Sequence, residues 1–223
     1  MKPHTFREIA ACFPSRWDRH YAASKLRTDP LYEALAADLA GSALPLLDIG
    51  CGIGLSAHFL RSSGIDVPIH GLDYDARKIR SARQAAASAG LGGVSFEAHD
   101  ARSGLPAHQG NVCILDILQF FDPAAQETLL RLAASRVAPG GLLLIRSGIR
   151  DDSWRFKITV AGDLLAKATR WMKAAPTHYP AREDFERILG PFGDLEITPL
   201  WGKTPFNNHW IRMAASPMAK SRH

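Results

Sequence analysis

Long apolar runs are missing from this chain of 223 residues: no segment approaches the roughly 20 apolar residues needed to cross a bilayer. A membrane-spanning helix is therefore not expected, and the opening stretch MKPHTFREIA lacks the apolar centre of a secretion signal. Cysteine is scarce as well. Cys12, Cys51 and Cys113 are odd in number and far apart, which signals neither a disulfide framework nor a zinc cluster and favours a reducing, cytoplasmic setting. No His, Cys and acid grouping has metal-ligand spacing, so no metal is expected. Internal repeats, low-complexity tracts and linkers are also absent. A single domain over 1–223 is the simplest division.

The remaining composition, 46% hydrophobic and 22% charged, is that of a soluble globular chain able to bury a sizeable core. A net charge of +5 permits an anionic partner but by itself says little about nucleic acid. Much of the excess is local. Arg155, Lys157, Lys167, Arg170 and Lys173 face a single acid, Asp163, in one late segment.

Residues 44–49 form a compact apolar run suited to a strand buried on both faces, and the glycines after it predict a turn into a helix over about 54–61. PIHGLDYD (68–75) and VSFEAHD (94–100) predict two further strands, separated by an Ala- and Arg-rich helix over 76–89 that Asp75 caps and Gly90 ends. NVCILDILQFF (111–121) predicts a fourth strand. Asp122 and Pro123 then start a helix with Gln126, Leu129, Leu130, Ala133 and Val137 along one face, and GLLLIRSGI (141–149) is a fifth strand. This alternation implies βαβ crossovers and a doubly wound α/β sheet with helices on both faces. DLEITPLWG (194–202) and NNHWIRMAA (207–215), with only KTPF between them, predict an antiparallel hairpin at the end.

The first strand runs into Asp48-Ile-Gly50-Cys51-Gly52-Ile-Gly54. Glycine lets a backbone turn tightly and lets a ligand approach with no β-carbon in the way. A tight turn without a ligand is one reading. Two nucleotide fingerprints fail: Leu55 stands where a dinucleotide loop needs its third glycine, and no Gly-Lys-Ser/Thr ending makes a P-loop.

The acid-x-Gly-x-Gly-x-Gly segment instead resembles that of the class I S-adenosylmethionine-dependent methyltransferases. The resemblance implies a seven-stranded, mostly parallel sheet of order 3-2-1-4-5-7-6 with a C-terminal antiparallel hairpin. It divides the chain into a helical arm (1–42), a cofactor-binding core (43–150), a lid or substrate insertion (151–190) and the hairpin (191–216). S-adenosylmethionine is the implied cofactor and S-adenosylhomocysteine the product.

By the same resemblance, Asp73 at the end of the second strand grips the ribose diol, with Tyr74 beside it, and a carboxylate suits two hydroxyl donors. Asp100 and Ala101 meet the adenine, while Asp48, Gly50, Cys51, Gly52 and Gly54 surround the methionine end. Asp116 and Ile117 complete the cofactor set, Asp116 being equally readable as a strand-end carboxylate held by backbone donors. Substrate candidates are Tyr21 of the N-terminal arm, Gln119, Trp154, Phe156, Trp171 and Asn208.

A sulfonium methyl donor is already reactive, so positioning matters more than acid–base apparatus. His178, His209 and Asp116 are the candidate catalytic groups. The insertion carries Ile158, Ala161, Leu164, Leu165, Ala168, Trp171 and Met172 at helical spacing, which predicts an amphipathic helix with a basic back. The stretches KLRTDPLY, GLDYDARKI, RDDSWRF and LWGKTPFNNHW are further similar to methyltransferases of bacterial aryl polyene pigment pathways. That similarity implies an aromatic or polyene acyl acceptor, free or on acyl carrier protein. Peripheral membrane contact is a second use for the basic helix. Nucleic acid is not an expected partner, an RNA methyltransferase being the nearest rival enzyme and a non-catalytic cofactor-binding accessory protein the rival from another class. Oligomeric state is not legible.

Overall fold

The computed structural model describes residues 3–168 and 178–215, with side chains for 6–162 and 178–215. Three helices, α1 (Pro3–Ala11), α2 (Arg16–Thr28) and α3 (Leu31–Leu39), lead into β1 (Leu46–Ile49). The alternation continues with α4 (Leu55–Ser62), β2 (Ile69–Asp73), α5 (Ala76–Ser88), β3 (Val94–Ala98), β4 (Asn111–Leu115), α6 (Pro123–Ser135) and β5 (Leu142–Gly148). It closes with α7 (Trp154–Ala168), α8 (Arg182–Leu189), β6 (Gly193–Pro199) and β7 (Asn208–Ala215).

The sheet order is β3-β2-β1-β4-β5-β7-β6. β2 runs parallel to β1 and β3, β4 runs parallel to β5, and β7 runs antiparallel to both β5 and β6. This is the doubly wound, seven-stranded arrangement expected from the sequence. Among the described residues, no helix is long and apolar enough to cross a membrane.

Local chemistry explains the element boundaries. All four residues of β1 are buried, as its continuous apolar run requires, whereas edge strand β3 buries only Phe96. Asp75 and Asp122 cap α5 and α6 by accepting from the Arg77 and Ala125 amides, and Pro123 occupies the first turn where its missing N–H costs nothing.

The chain divides into two compact units, one built on the residues up to Ser103 with Leu200–Thr204, the other on Gly104–Pro199 and the residues from Pro205 on. In the first, His58 of α4 is 3% exposed, packs its ring 5.1 Å from that of Phe13, and has an Nε2 without a hydrogen-bond partner. Burial lowers its pKa from 6.5 to about 4. Because the unfolded chain binds this proton more readily, the neutral imidazole contributes its full stability above pH 6.5, and that stability is lost as pH falls from 6.5 towards 4. Wild type should lose about 2 kcal/mol between pH 7.5 and 5 through this group. Urea unfolding of His58→Leu at both pH values checks it: the variant should gain that amount relative to wild type at pH 5, and an unchanged gap would refute the assignment.

Three expectations of the sequence need correction. The fourth strand was expected over 111–121 but ends at Leu115, because Asp116 adopts a left-handed φ of 61° and Leu118–Phe120 then form a 3-10 turn. The hairpin connection is longer than KTPF: β6 stops at Pro199, which lacks an amide to extend the ladder, and Gly202 packs close enough to Pro30 that an added Cβ would sit 2.9 Å from Pro30 Cγ. In α7 the first two residues of the expected apolar stripe do not pack inward. Ile158 and Ala161 are exposed while Thr159 is buried, its hydroxyl donating to the Arg155 carbonyl and accepting from the Asn207 amide at 2.7 Å. Leu164, Leu165, Ala168, Trp171 and Met172 of that stripe lie outside the described side chains.

Candidate functional site

In the first unit, β1 and β2 end side by side, with Asp48 paired to Gly71 and Ile49 to Leu72. The turn after β1 stays attached to β2, the Gly50 and Cys51 amides both donating to the Leu72 carbonyl at 2.7 and 2.9 Å. Gly50, Gly52 and Gly54 all have positive φ, at 82°, 58° and 77°. Glycine is needed at each, since other residues adopt that region at a cost.

Surroundings then separate two of these glycines. A Cβ on Gly54 would lie 2.6 Å from Phe96 Cζ and 3.2 Å from Ala82 Cβ, and one on Gly71 would lie 2.6 Å from Phe96 Cδ1 and 2.9 Å from Cys51 Sγ. Both are bare so that the loop, α5 and β3 can close around the Phe96 ring. At Gly52 nothing lies within 4 Å of the equivalent position. At Gly52 the positive φ, not packing, requires glycine, and the space in front of its backbone is open to a ligand.

The acids are arranged around this turn. Asp73 is 4% exposed, its Oδ2 accepting from the Gly52 amide at 3.0 Å and its Oδ1 from the Asp75 amide at 2.8 Å, with Lys78 Nζ 4.0 Å away. It ties the glycine turn to the start of α5. Each oxygen keeps further lone-pair capacity, as a diol would require. Asp48 is 1% exposed and accepts from the Ser56 hydroxyl at 2.7 Å, so its buried carboxyl group sits under the first turn of α4.

Burial, with Asp48 and Asp73 nearby, pushes the Cys51 thiol well above its ordinary value and keeps it protonated. Asp100 is half-exposed and caps the turn Ala101–Ser103, accepting from the Arg102 amide at 3.0 Å. Tyr74 is exposed and Tyr21 of α2 is half-buried. Carboxylates set around a bare, positive-φ backbone suit a cationic nucleoside with a diol, so the residues present fit the cofactor expected from the sequence.

In the second unit, Asp116 directly follows β4 and is the only non-glycine residue with positive φ among those described. Arg146, buried in the apolar run of β5, donates from Nη1 to Asp116 Oδ2, and the Asp116 amide donates to the Arg146 carbonyl at 3.0 Å. The carboxylate is thus partnered by a buried guanidinium as well as lying at a strand end. Ile117 leads into the 3-10 turn that carries Gln119.

His178 is exposed; its amide donates to the Gln119 carbonyl at 3.4 Å, and its carbonyl accepts from Gln126 Nε2 at 2.9 Å. His209 is buried, with Nδ1 3.2 Å from the Asn207 carbonyl, and burial holds its imidazole below the ordinary value, so it is neutral at pH 7. Asn208 beside it is also buried. Phe156 packs edge-on against Tyr179 at 5.2 Å, and the ring of Tyr179 lies against Gly148 at the end of β5. Trp154 is 59% exposed beneath the Arg155 guanidinium.

The structure adds residues that the sequence reading passed over. Asn207, 1% exposed, donates its side chain to the Ile149 carbonyl and to Asp151 Oδ2, both at 2.8 Å, and so fixes the end of β5. Gln126, read as part of an apolar helix face, donates to the Leu118, Phe121 and His178 carbonyls. No sequence signal distinguished Asn207 from Asn208, but a glutamine on an otherwise apolar stripe was a signal for Gln126. Among the described residues, no group of His, Cys, Asp and Glu is arranged to hold a metal ion.

Residues 40–189 match a family model described as a methyltransferase domain. A trans-aconitate 2-methyltransferase of Methylobacterium nodulans is 30% identical over 139 residues, covering 61% of this chain and 52% of its own length. The chain therefore spans about half of that curated relative. Among solved structures, the pyocyanin biosynthetic protein PhzM superposes with a TM-score of 0.66 at 21% identity, covering 95% of this chain and 62% of its own. The magnesium protoporphyrin IX methyltransferase of Synechocystis PCC 6803, solved with bound SAH, superposes with a TM-score of 0.64 at 16% identity, covering 96% and 94%.

Proposed function

The chain belongs to the methyltransferase domain family, and from that premise we propose that it transfers a methyl group from S-adenosylmethionine to a small, largely apolar molecule. Its fold is the class I methyltransferase fold. The observation that carries the reading is Gly52, whose strained backbone has open space in front of it while its amide is held by the carboxylate of Asp73. When bound, the cofactor supplies a sulfonium methyl that needs no further activation. Asp73 would hold the ribose, Asp100 and Ala101 the adenine, and the turn from Gly50 to Gly54 over Asp48 the methionine end. The remaining work of the protein is to bind, orient and exclude water.

The acceptor we favour is an aromatic or polyene acyl compound, free or carried on acyl carrier protein. The stretches KLRTDPLY, RDDSWRF and LWGKTPFNNHW support it, as do Trp154, Arg155, Lys157 and Ile158, which give the start of α7 a mixed basic and apolar surface suited to an acidic carrier. His209, buried at the end of β7 nearest Ser147 of β5, and His178 are the histidines available for removing a proton from such an acceptor.

Incubating the purified chain with methyl-labelled cofactor and aryl-polyenoic acids, free and carrier-bound, tests the reading. Label is expected in the extractable small-molecule fraction or on the carrier. Label in RNA, or cofactor binding with no S-adenosylhomocysteine formed, would overturn it in favour of an RNA enzyme or an accessory protein.

A further inference from the structure

Gln119 is 9% exposed, and its Nε2 donates to the Asp116 carbonyl at 3.1 Å. That contact fixes which end of the amide is which, because the reversed amide would set two acceptors face to face. The other end, Oε1, is buried and accepts no hydrogen bond from the protein. Buried side-chain acceptors are paired in the large majority of cases, and leaving one unpaired is unfavourable.

The backbone that carries this side chain is held in place. Gln126 Nε2 pins the Leu118, Phe121 and His178 carbonyls at 2.9, 3.1 and 2.9 Å. The turn also follows β4 directly, at the carboxyl end of a parallel strand where ligands of such sheets bind, and next to the positive-φ Asp116. Two other buried polar atoms without a hydrogen bond lie elsewhere. His58 Nε2 lies on α4 against Phe13, and Arg136 Nε at the far end of α6.

We infer that Gln119 Oε1 is the polar recognition point for the methyl acceptor, taking a hydrogen bond from a neutral hydroxyl or N–H on an otherwise apolar molecule. The inference rests on the methyl-transfer reading above. An acceptor offering only an ionised carboxylate at this point is disfavoured, since two acceptors would then meet. Gln126 is the positioning residue that holds the turn.

The test compares 4-hydroxycinnamic acid with cinnamic acid, a pair differing by one O–H donor, as ligands titrated calorimetrically into protein saturated with S-adenosylhomocysteine. Wild type should bind the hydroxylated member at least about tenfold more tightly. Gln119→Leu should bring the two within about twofold of each other while leaving S-adenosylhomocysteine affinity and melting temperature close to wild type. Gln126→Leu, which removes an NH2 shared among three carbonyls, of which Leu118 keeps the Phe121 amide, should lower the melting temperature clearly more. If wild type shows no preference, if Gln119→Leu keeps it, or if Gln119→Leu weakens both ligands equally and melts as early as Gln126→Leu, the inference fails. Failure of wild type to bind S-adenosylhomocysteine at all would instead remove the methyl-transfer reading.

Discussion

Gly54→Ala should destabilise the protein by about 3 kcal/mol, summing the cost of a side chain at positive φ with that of an overpacked core. The new methyl would meet Phe96 Cζ at 2.6 Å and Cε1 at 2.8 Å, and that ring is itself held between the glycine turn and α5. For a chain of this size the loss corresponds to a fall in melting temperature of about 10 °C. Gly52→Ala is the matched control. It carries a similar φ but no clash, so about 1 kcal/mol of strain is the expected stability effect, with a loss of cofactor affinity of about tenfold or more because the methyl occupies the open approach. Thermal melts and calorimetry with S-adenosylhomocysteine separate the two. Equal melting temperatures for the variants would remove the distinction between a packing glycine and a ligand glycine.

Asp73→Ala should lower S-adenosylhomocysteine affinity by about 100-fold or more, the expected effect of losing two charge-assisted hydrogen bonds to a diol. It should also cost stability, because the Gly52 and Asp75 amides lose the oxygens they reach at 3.0 and 2.8 Å. Asp73→Asn helps to separate these effects. Its single carbonyl oxygen can serve one amide but its NH2 faces the other, so the turn loosens while part of the hydrogen-bonding capacity survives. Its affinity should fall between those of wild type and Asp73→Ala. An alanine variant that binds like wild type would leave Asp73 a purely structural bracket between the turn and α5.

Much of the fold was legible because the chemistry that sets it is local. The buried run of β1, the Asp75 and Asp122 caps and Pro123 each act within a few residues of where they stand, and the strands and helices they delimit appear where expected. What was not legible depends on distant partners. That Gly54 is closely packed and Gly52 faces open space follows from where Phe96 lies, which no motif states. The end of β4 is set by the left-handed Asp116 and its tie to Arg146, a charged residue hidden in a run that reads as plain core. In α7, Thr159 turns inward because the Asn207 amide reaches its hydroxyl, a contact that hydrophobic spacing cannot register. Helix α8 was passed over inside the insertion although Asp184 accepts from the Ala181 amide at its start, a local signal that was there to be read.

The most direct measurement is calorimetric titration of the purified, folded chain with S-adenosylhomocysteine. A saturable one-to-one isotherm in the micromolar range, about 8 kcal/mol of binding free energy, is the predicted result. No heat up to millimolar ligand, from protein whose melting temperature is also unmoved by the nucleoside, would contradict the assignment of the glycine turn and Asp73 to cofactor binding.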